Sequence, residues 1–410
     1  MTTYIKRLAL LLVLGLVLLG AAYSRNIERL YVAITLYEPD KIAHNFLTMY
    51  QAFNAKRIEP AAQPFVFASN PHALPASFEF NGQSILLDDF LSQSQSQGLM
   101  VIKHGQIWHE QYFNQQEADT QHISFSVAKS FISALFGIAL AEGYISSIEQ
   151  RVTDYVPELQ GSGYDSVRIK DVLQMSSGVK FNEDYGDFFS DINRFSRAIA
   201  FGTSLDDFSA SLIRQRQPGT YHHYVSIDTQ VLGMILTRAT GQSLSDYLND
   251  KILQPIGIQD PVYWLADDNG MELALGGLNL TLRDYAKFAW LFVNQGRWTD
   301  MQGNSQQVVP HQWVIDSVTP DAPHLQPGEN NPASSSRDGY GYQWWIPLGA
   351  EDEFMAKGIY GQYIYIDPDQ NLAIVKLSAI ANYNDASQRW GPKHLAMFRA
   401  ISEHLATLPR

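Results

Sequence analysis

Between His122 and Gly143 the chain reads HISFSVAKSFISALFGIALAEG. Phe131, Leu135, Phe136 and Ile138 alternate here with the small residues Ser130, Ser133 and Gly137, and Lys129 is the single lysine. A helix that is apolar on nearly every side has to be surrounded by protein. The stretch is therefore expected to form a buried helix from about Ser126 to Glu142. Its 410-residue chain allows two or three domains, or one large two-part protein. With 45% hydrophobic and 17% charged residues, the composition favours a packed globule over disorder.

The lysine is what gives this helix chemical interest. Positions i and i+3 share a helical face, so the Ser126 hydroxyl and the Lys129 amine can meet at one point. Burial and the positive end of the helix both disfavour a cation and push the amine toward its neutral form. A neutral amine can accept a proton from a serine and so activate it. Ser-x-x-Lys alone is a weak pattern, and the plain alternative is a lysine that snorkels to solvent. The pattern recurs at Ser177-Gly178-Val179-Lys180, where a glycine interrupts and no apolar helix follows, so that copy reads as a turn.

The rest of the chain arranges itself around this helix. GLMVIKHGQIWHEQYF (98–113) reads as two strands around His104-Gly105, and GQYIYIDPDQNLAIVKLS as two more around Asp367-Pro368-Asp369-Gln370. Segments such as TQVLGMILTRATG and TLRDYAKFAWLFVNQG carry helical periodicity, and HLAMFRAISEHLATL (394–408) reads as an amphipathic C-terminal helix. Strands near both ends with helices between them give an α/β (α+β) fold class. One antiparallel sheet is built from both chain ends and flanked by helices, with a mostly helical region inserted. The expected division is a lead-in segment over 26–75, a sheet domain over 76–148 and 333–410, and a helical domain over 149–332.

At the N-terminus, Lys6 and Arg7 precede an uncharged run from Leu8 to Ser24. A positive flank before an apolar stretch marks either a membrane anchor or a cleaved secretory signal over residues 1–25. As a helix the run spans about 25 Å, slightly short of a bilayer's hydrocarbon core. The expected location is the cell envelope, anchored in the inner membrane facing the periplasm, or secreted there if the segment is cleaved. The chain has no cysteine, which removes disulfides, thiolate catalysis and cysteine metal sites. A formal charge of −13 argues against nucleic acid as a partner.

Two further stretches could join Ser126 and Lys129. PGTYHHYVSIDTQVLGMIL (218–236) runs from a turn through an aromatic loop into a helix, and Tyr224-Val225-Ser226 offers a phenol and a hydroxyl two residues apart. A tyrosine beside an amine can be held as phenolate or pass a proton to a leaving group. His222 and His223 read as surface or packing residues. FMAKGIYGQYIYIDP (354–368) places Gly358 and Gly361 beside a strongly β-forming run, where glycine permits a bulge, a turn or close approach of a ligand. Backbone amides there could complete an oxyanion hole with the amide of Ser126.

These three pieces, in this order, resemble the serine β-lactamase and penicillin-binding-protein superfamily. That superfamily pairs Ser-x-x-Lys with a Tyr-x-Asn/Ser element and a Lys/His-Thr/Gly-Gly strand. The chain is most similar to the class C-like branch of esterases and amidases, particularly the 6-aminohexanoate-dimer hydrolases. The likeness is carried by stretches such as IKDVLQMSSGV, PGTYHHYVSIDTQVLG, YGYQWW and KGIYGQYIYIDP, from about residue 75 onward. It implies a β-lactamase/transpeptidase-like fold with Ser126 as acylated nucleophile, Lys129 as its proton partner and Tyr224 as proton shuttle. The Ser126 and Ile359 amides would hold the oxyanion, with Gly358 as the close rival. Tyr185, Ser226, Gly358 and Tyr360 would contact substrate. No cofactor and no metal are implied. One departure matters: the third element reads Ala356-Lys357-Gly358 followed by Ile359-Tyr360-Gly361-Gln362, without the Lys-Thr-Gly hydroxyl that helps grip a β-lactam carboxylate.

Other hydrolase designs fit poorly. No Gly-x-Ser-x-Gly elbow occurs, and Phe113 occupies the position where His109-Glu110 would need a second histidine for zinc. The expected activity is cleavage of a small amide or ester through an acyl-enzyme. A D,D-peptidase or weak β-lactamase acting on cell-wall-type substrates is the near alternative, and an inactive envelope binding protein with the same fold the distant one.

Overall fold

The computed structural model describes residues 4–7, 24–200 and 202–409. The anchor-or-signal expectation rests mainly on residues 8–23, which lie outside the described residues. Among those described, no helix is long and apolar enough to cross a membrane.

The main elements in chain order are α1 (Ser24–Thr35), α2 (Ile42–Ala52), β1 (Ser96–Lys103), β2 (Gln106–Tyr112) and α3 (Ala128–Ala141). Then come α4 (Asp191–Ala200), α5 (Ser226–Thr240), α6 (Leu282–Val293), β3 (Phe354–Gly358), β4 (Gln362–Asp367), β5 (Leu372–Ser378) and α7 (Trp390–Ala406). Strands β3-β4-β5-β1-β2 form the antiparallel centre of an eight-stranded sheet in that spatial order. Both expected hairpins are present. The first turns through His104 and Gly105, both with positive φ, the geometry that suits a tight two-residue connection. N- and C-terminal strands meet where β5 pairs with β1, Val375 opposite Met100.

Period-two alternation explains the two layers on this sheet. Leu99, Val101, Tyr363, Tyr365 and Ile374 face a cluster built with Met397, Phe398, Ile401 and Leu405 of α7. Met100, Ile102, Ile364, Ile366 and Val375 face the larger core, which contains Phe288 of α6 and Phe131 of α3. Helix α6 thus covers the sheet directly, although its place in the sequence falls within the inserted helical region. A sheet with two apolar faces needs a cover on each, and α7 supplies only one. The inserted region also contains short strands. Val262–Leu265 and Leu278–Leu280 form a four-stranded sheet with Ala55–Ile58 from the lead-in and with His122–Ile123. The lead-in is therefore woven into the fold.

Helix α3 is buried along nearly its whole length, from Ala128 to Ala139. Its closest approach is to Trp313, where a Cβ built on Gly137 would sit 2.3 Å from the indole Cγ. Gly137→Ala is expected to destabilise the protein by about 1–3 kcal/mol, because overpacking outweighs alanine's helix propensity. Chemical denaturation checks this, and unchanged stability would mean that Trp313 moves freely.

Candidate active site

The chain enters α3 through a tight turn. Residues Phe125–Val127 form one turn of 3-10 helix, and Phe125 has φ +43° without being glycine. Such a conformation is costly for a bulky residue and persists where the surroundings hold it. Here the surroundings are aromatic. Phe46 of α2 meets Phe125 edge-on at 4.8 Å, Tyr360 lies 5.8 Å away, and Tyr37 stacks on Tyr360 at 4.6 Å. Ser126 follows Phe125 and retains only 8% exposure, at the wall of a cavity of about 610 Å³.

One helical turn on, Lys129 is 1% exposed. Its Nζ donates to the Leu275 carbonyl at 2.8 Å and to Ser226 Oγ at 3.3 Å. Ser226 in turn donates to Glu183 Oε1 at 2.5 Å, and its backbone N–H reaches Glu183 Oε2 at 3.1 Å. The directions are settled by inventory: the carboxylate only accepts, so the serine hydroxyl gives its hydrogen to Glu183 and accepts one from lysine. A neutral amine has two N–H groups, and both are now placed. Its lone pair stays available. Burial lowers the Lys129 pKa from 10.5 to about 7, opposed by the negative charges of Glu183 and Asp228.

Ser126 is near enough to Tyr224 to draw its pKa down in opposition to burial, and the Lys129 Nζ lies 5.5 Å from the centre of its ring. Trp345 stacks on the same ring at 5.3 Å and Tyr340 meets it edge-on. Burial, helped by the Glu183 charge, holds the phenol well above its ordinary pKa. Of the two states open to this tyrosine from the sequence, the neutral phenol is the one these surroundings favour. Behind it, Asp228 is wholly buried, accepts from Tyr164 at 2.9 Å and is raised by burial to about 8.

The third stretch closes the site from the sheet. Gly358 ends β3, and Ile359, Tyr360 and Gly361 form the turn into β4, with positive φ at Tyr360 and Gly361. A Cβ on Gly358 would lie 2.6 Å from the Ser124 carbonyl, so glycine is what allows the strand end to touch the turn that carries Ser126. Ile359 and Tyr185 share the cavity wall with Ser126. Three residues expected to meet substrate, Ser226, Gly358 and Tyr360, lie off that wall. Ser226 is fully buried and engaged by Lys129 and Glu183, while Tyr360 is 3% exposed within the aromatic cluster. The Ser177–Lys180 segment, expected as a turn, is irregular backbone with no helix, and Ser177 Oγ accepts from the Val179 N–H at 3.3 Å. His222 is a packing residue against Tyr340, bonded to Ser334.

Glu183 and Asp228 were not singled out from the sequence. Glu183 sits in the polar run FNEDYGD, where nothing distinguishes it from Asp184 or Asp187. Asp228 reads as an ordinary acidic residue in the first turn of α5.

A family model described as Beta-lactamase matches residues 86–396. The chain belongs to the β-lactamase family. Within this family, the 6-aminohexanoate-dimer hydrolase of Paenarthrobacter ureafaciens is 27% identical over 300 residues, 72% of this chain and 75% of the relative. An Escherichia coli K12 protein named "Putative D-alanyl-D-alanine carboxypeptidase" is 23% identical over 256 residues, 55% of this chain and 57% of its own length. A solved Bacillus anthracis structure, described as "Putative 6-aminohexanoate-dimer hydrolase", superposes with a TM-score of 0.80 at 24% identity. The match covers 92% of this chain and 97% of that one. This β-lactamase-family protein is accordingly a serine hydrolase with the β-lactamase/transpeptidase-like fold that the resemblance implied.

Proposed function

We propose that the protein hydrolyses a small amide or ester through a covalent acyl-enzyme carried on Ser126. The observation that carries this reading is the buried Lys129 amine, its pKa lowered to about 7 and its Nζ anchored on the Leu275 carbonyl and Ser226, one turn from Ser126. Ser126 Oγ attacks the substrate carbonyl as its proton passes to Lys129. The backbone amides of Ser126 and Ile359 take the developing oxyanion. Tyr224 relays the proton to the leaving nitrogen or oxygen as the C–N or C–O bond breaks. Water, deprotonated by the same pair, then cleaves the ester to release the carboxylic acid and restore Ser126. Tyr185 would face the substrate at the cavity wall.

A fluorophosphonate probe tests the nucleophile. One adduct per chain is expected by intact mass, and none in Ser126→Ala; labelling that persists in the variant rejects the assignment.

Similarity to the carboxypeptidase-named protein favours a D,D-peptidase as the second reading. Against it, Lys357, the cation of the third element, is ion-paired with Asp338 and lies 4.9 Å from the Trp345 ring centre. It is poorly free to grip a substrate carboxylate. Covalent labelling by a fluorescent penicillin would reverse that preference. The apolar run at 8–24 supports a place in the cell envelope, as an anchored or exported protein, and cell fractionation distinguishes the two.

A further inference from the structure

The cavity beside Ser126 has a wall that the hydrolase chemistry does not explain. Helix α1 supplies Leu30 and Ile34 to it, α4 supplies Phe195 and Ile199, and Phe188 and Leu273 add to the lining. Its volume, about 610 Å³, lies within the range of small-molecule sites.

The polar side chains on this wall are largely committed elsewhere. Asn193 donates to the backbone carbonyls of Tyr185 and Asp187, and Ser196 to that of Ile192. Tyr185 donates to Glu183. Arg197, the one charged lining residue among those described, bonds to the Phe188 carbonyl at 2.7 Å and lies over the Phe188 ring. A polar substrate would meet few free partners here, and a hydrocarbon chain would meet none it must displace. Ile34 and Phe188 also line the cavity yet remain 72% and 63% exposed, so the apolar surface continues outward to solvent.

The direction of the chain follows from the wall's composition. Ser126 and Ile359 belong to it, whereas Tyr224, which must reach the leaving group, does not. We propose that this cavity is an acyl-chain site: the substrate is an ester or amide of a long aliphatic acid whose chain lies between α1 and α4. The inference rests on the hydrolase reading above and names the substrate class for it.

The full chain should be assayed with p-nitrophenyl acetate, butyrate, octanoate and laurate against a Ser126→Ala background. Each methylene buried raises kcat/KM about twofold to fourfold, so the six extra methylenes of octanoate should raise it about a hundredfold or more over acetate. Octyl acetate, which carries its chain on the alcohol, should show no comparable gain. Ala33→Phe or Ser196→Phe, each filling the cavity, should lower the laurate-to-acetate ratio at least about tenfold. Presenting laurate ester below its aggregation limit and in phosphatidylcholine vesicles separates a dissolved amphiphile from a lipid-borne one, and a gain in either form supports the site. Turnover of acetate with a flat chain-length series overturns the inference and leaves the hydrolase standing. If no ester is turned over and no probe labels Ser126, the hydrolase reading fails instead. The cavity is then judged on dansylundecanoate: binding to Ser126→Ala that weakens with Ser196→Phe supports it, and absence of binding overturns it.

Discussion

A Lys129→Met variant should lose about a thousandfold in kcat/KM, the scale of a positioned general base, and still be more stable than the parent at neutral pH. The two effects share one cause. In the unfolded chain this amine has its ordinary pKa of 10.5, and in the folded protein burial brings it to about 7. Between those values the unfolded chain holds more protons, so this group's contribution to stability rises as pH rises from about 7 toward 10.5. Below about pH 7 the cost of burying the charge is complete. Methionine removes that cost, while leaving the Leu275 carbonyl and Ser226 without their lysine partner. The net gain should be about 1–2 kcal/mol near pH 7 and should shrink as the pH approaches 10.5. Denaturation curves for both proteins across this range provide the check, and a methionine variant of lower stability at every pH would contradict the account. The parent's kcat/KM should correspondingly rise through about pH 7 as Lys129 loses its proton. Since the Glu183 charge holds the amine's pKa up, Glu183→Gln should move that rise to lower pH.

Gly358→Ala should reduce kcat about a hundredfold with a much smaller change in KM. The added methyl would meet the Ser124 carbonyl at 2.6 Å, and relief requires the strand end or the turn that carries Ser126 to shift. Displacements of that order separate a reacting group from its oxyanion donors. Steady-state kinetics on a chromogenic ester would show it. A variant with normal kcat would mean that the end of β3 takes no part in the reaction.

Several features of this protein are legible in its residues because they are local. The apolar helix, the two hairpins and the C-terminal helix announce themselves through periodicity, and α7 begins at Trp390, four residues before the expected start. Ser126, Lys129 and Tyr224 are brought together as their motifs suggest. What is less legible depends on distance along the chain. Glu183 reaches Ser226 across 43 residues, and Lys129 reaches Ser226 across 97, so neither partnership leaves a spacing to read. The strands at 262–265 and 278–280 are three or four residues long and largely buried, which erases the alternation that would reveal them. Helix α6 shows its amphipathic pattern plainly, but the pattern does not say which surface its apolar stripe will cover.

The aromatic clamp on Phe125 reaches outside residues 86–396, the stretch that the family model matches. Tyr37 and Phe46 come from residues upstream of position 86, where the family match starts, yet they brace the backbone immediately ahead of Ser126. A version of this enzyme trimmed to the conventional boundaries would retain every motif residue and give up the scaffolding that holds Phe125 in its unfavourable twist. Grafting and minimisation efforts should treat the first helices as part of the reaction centre.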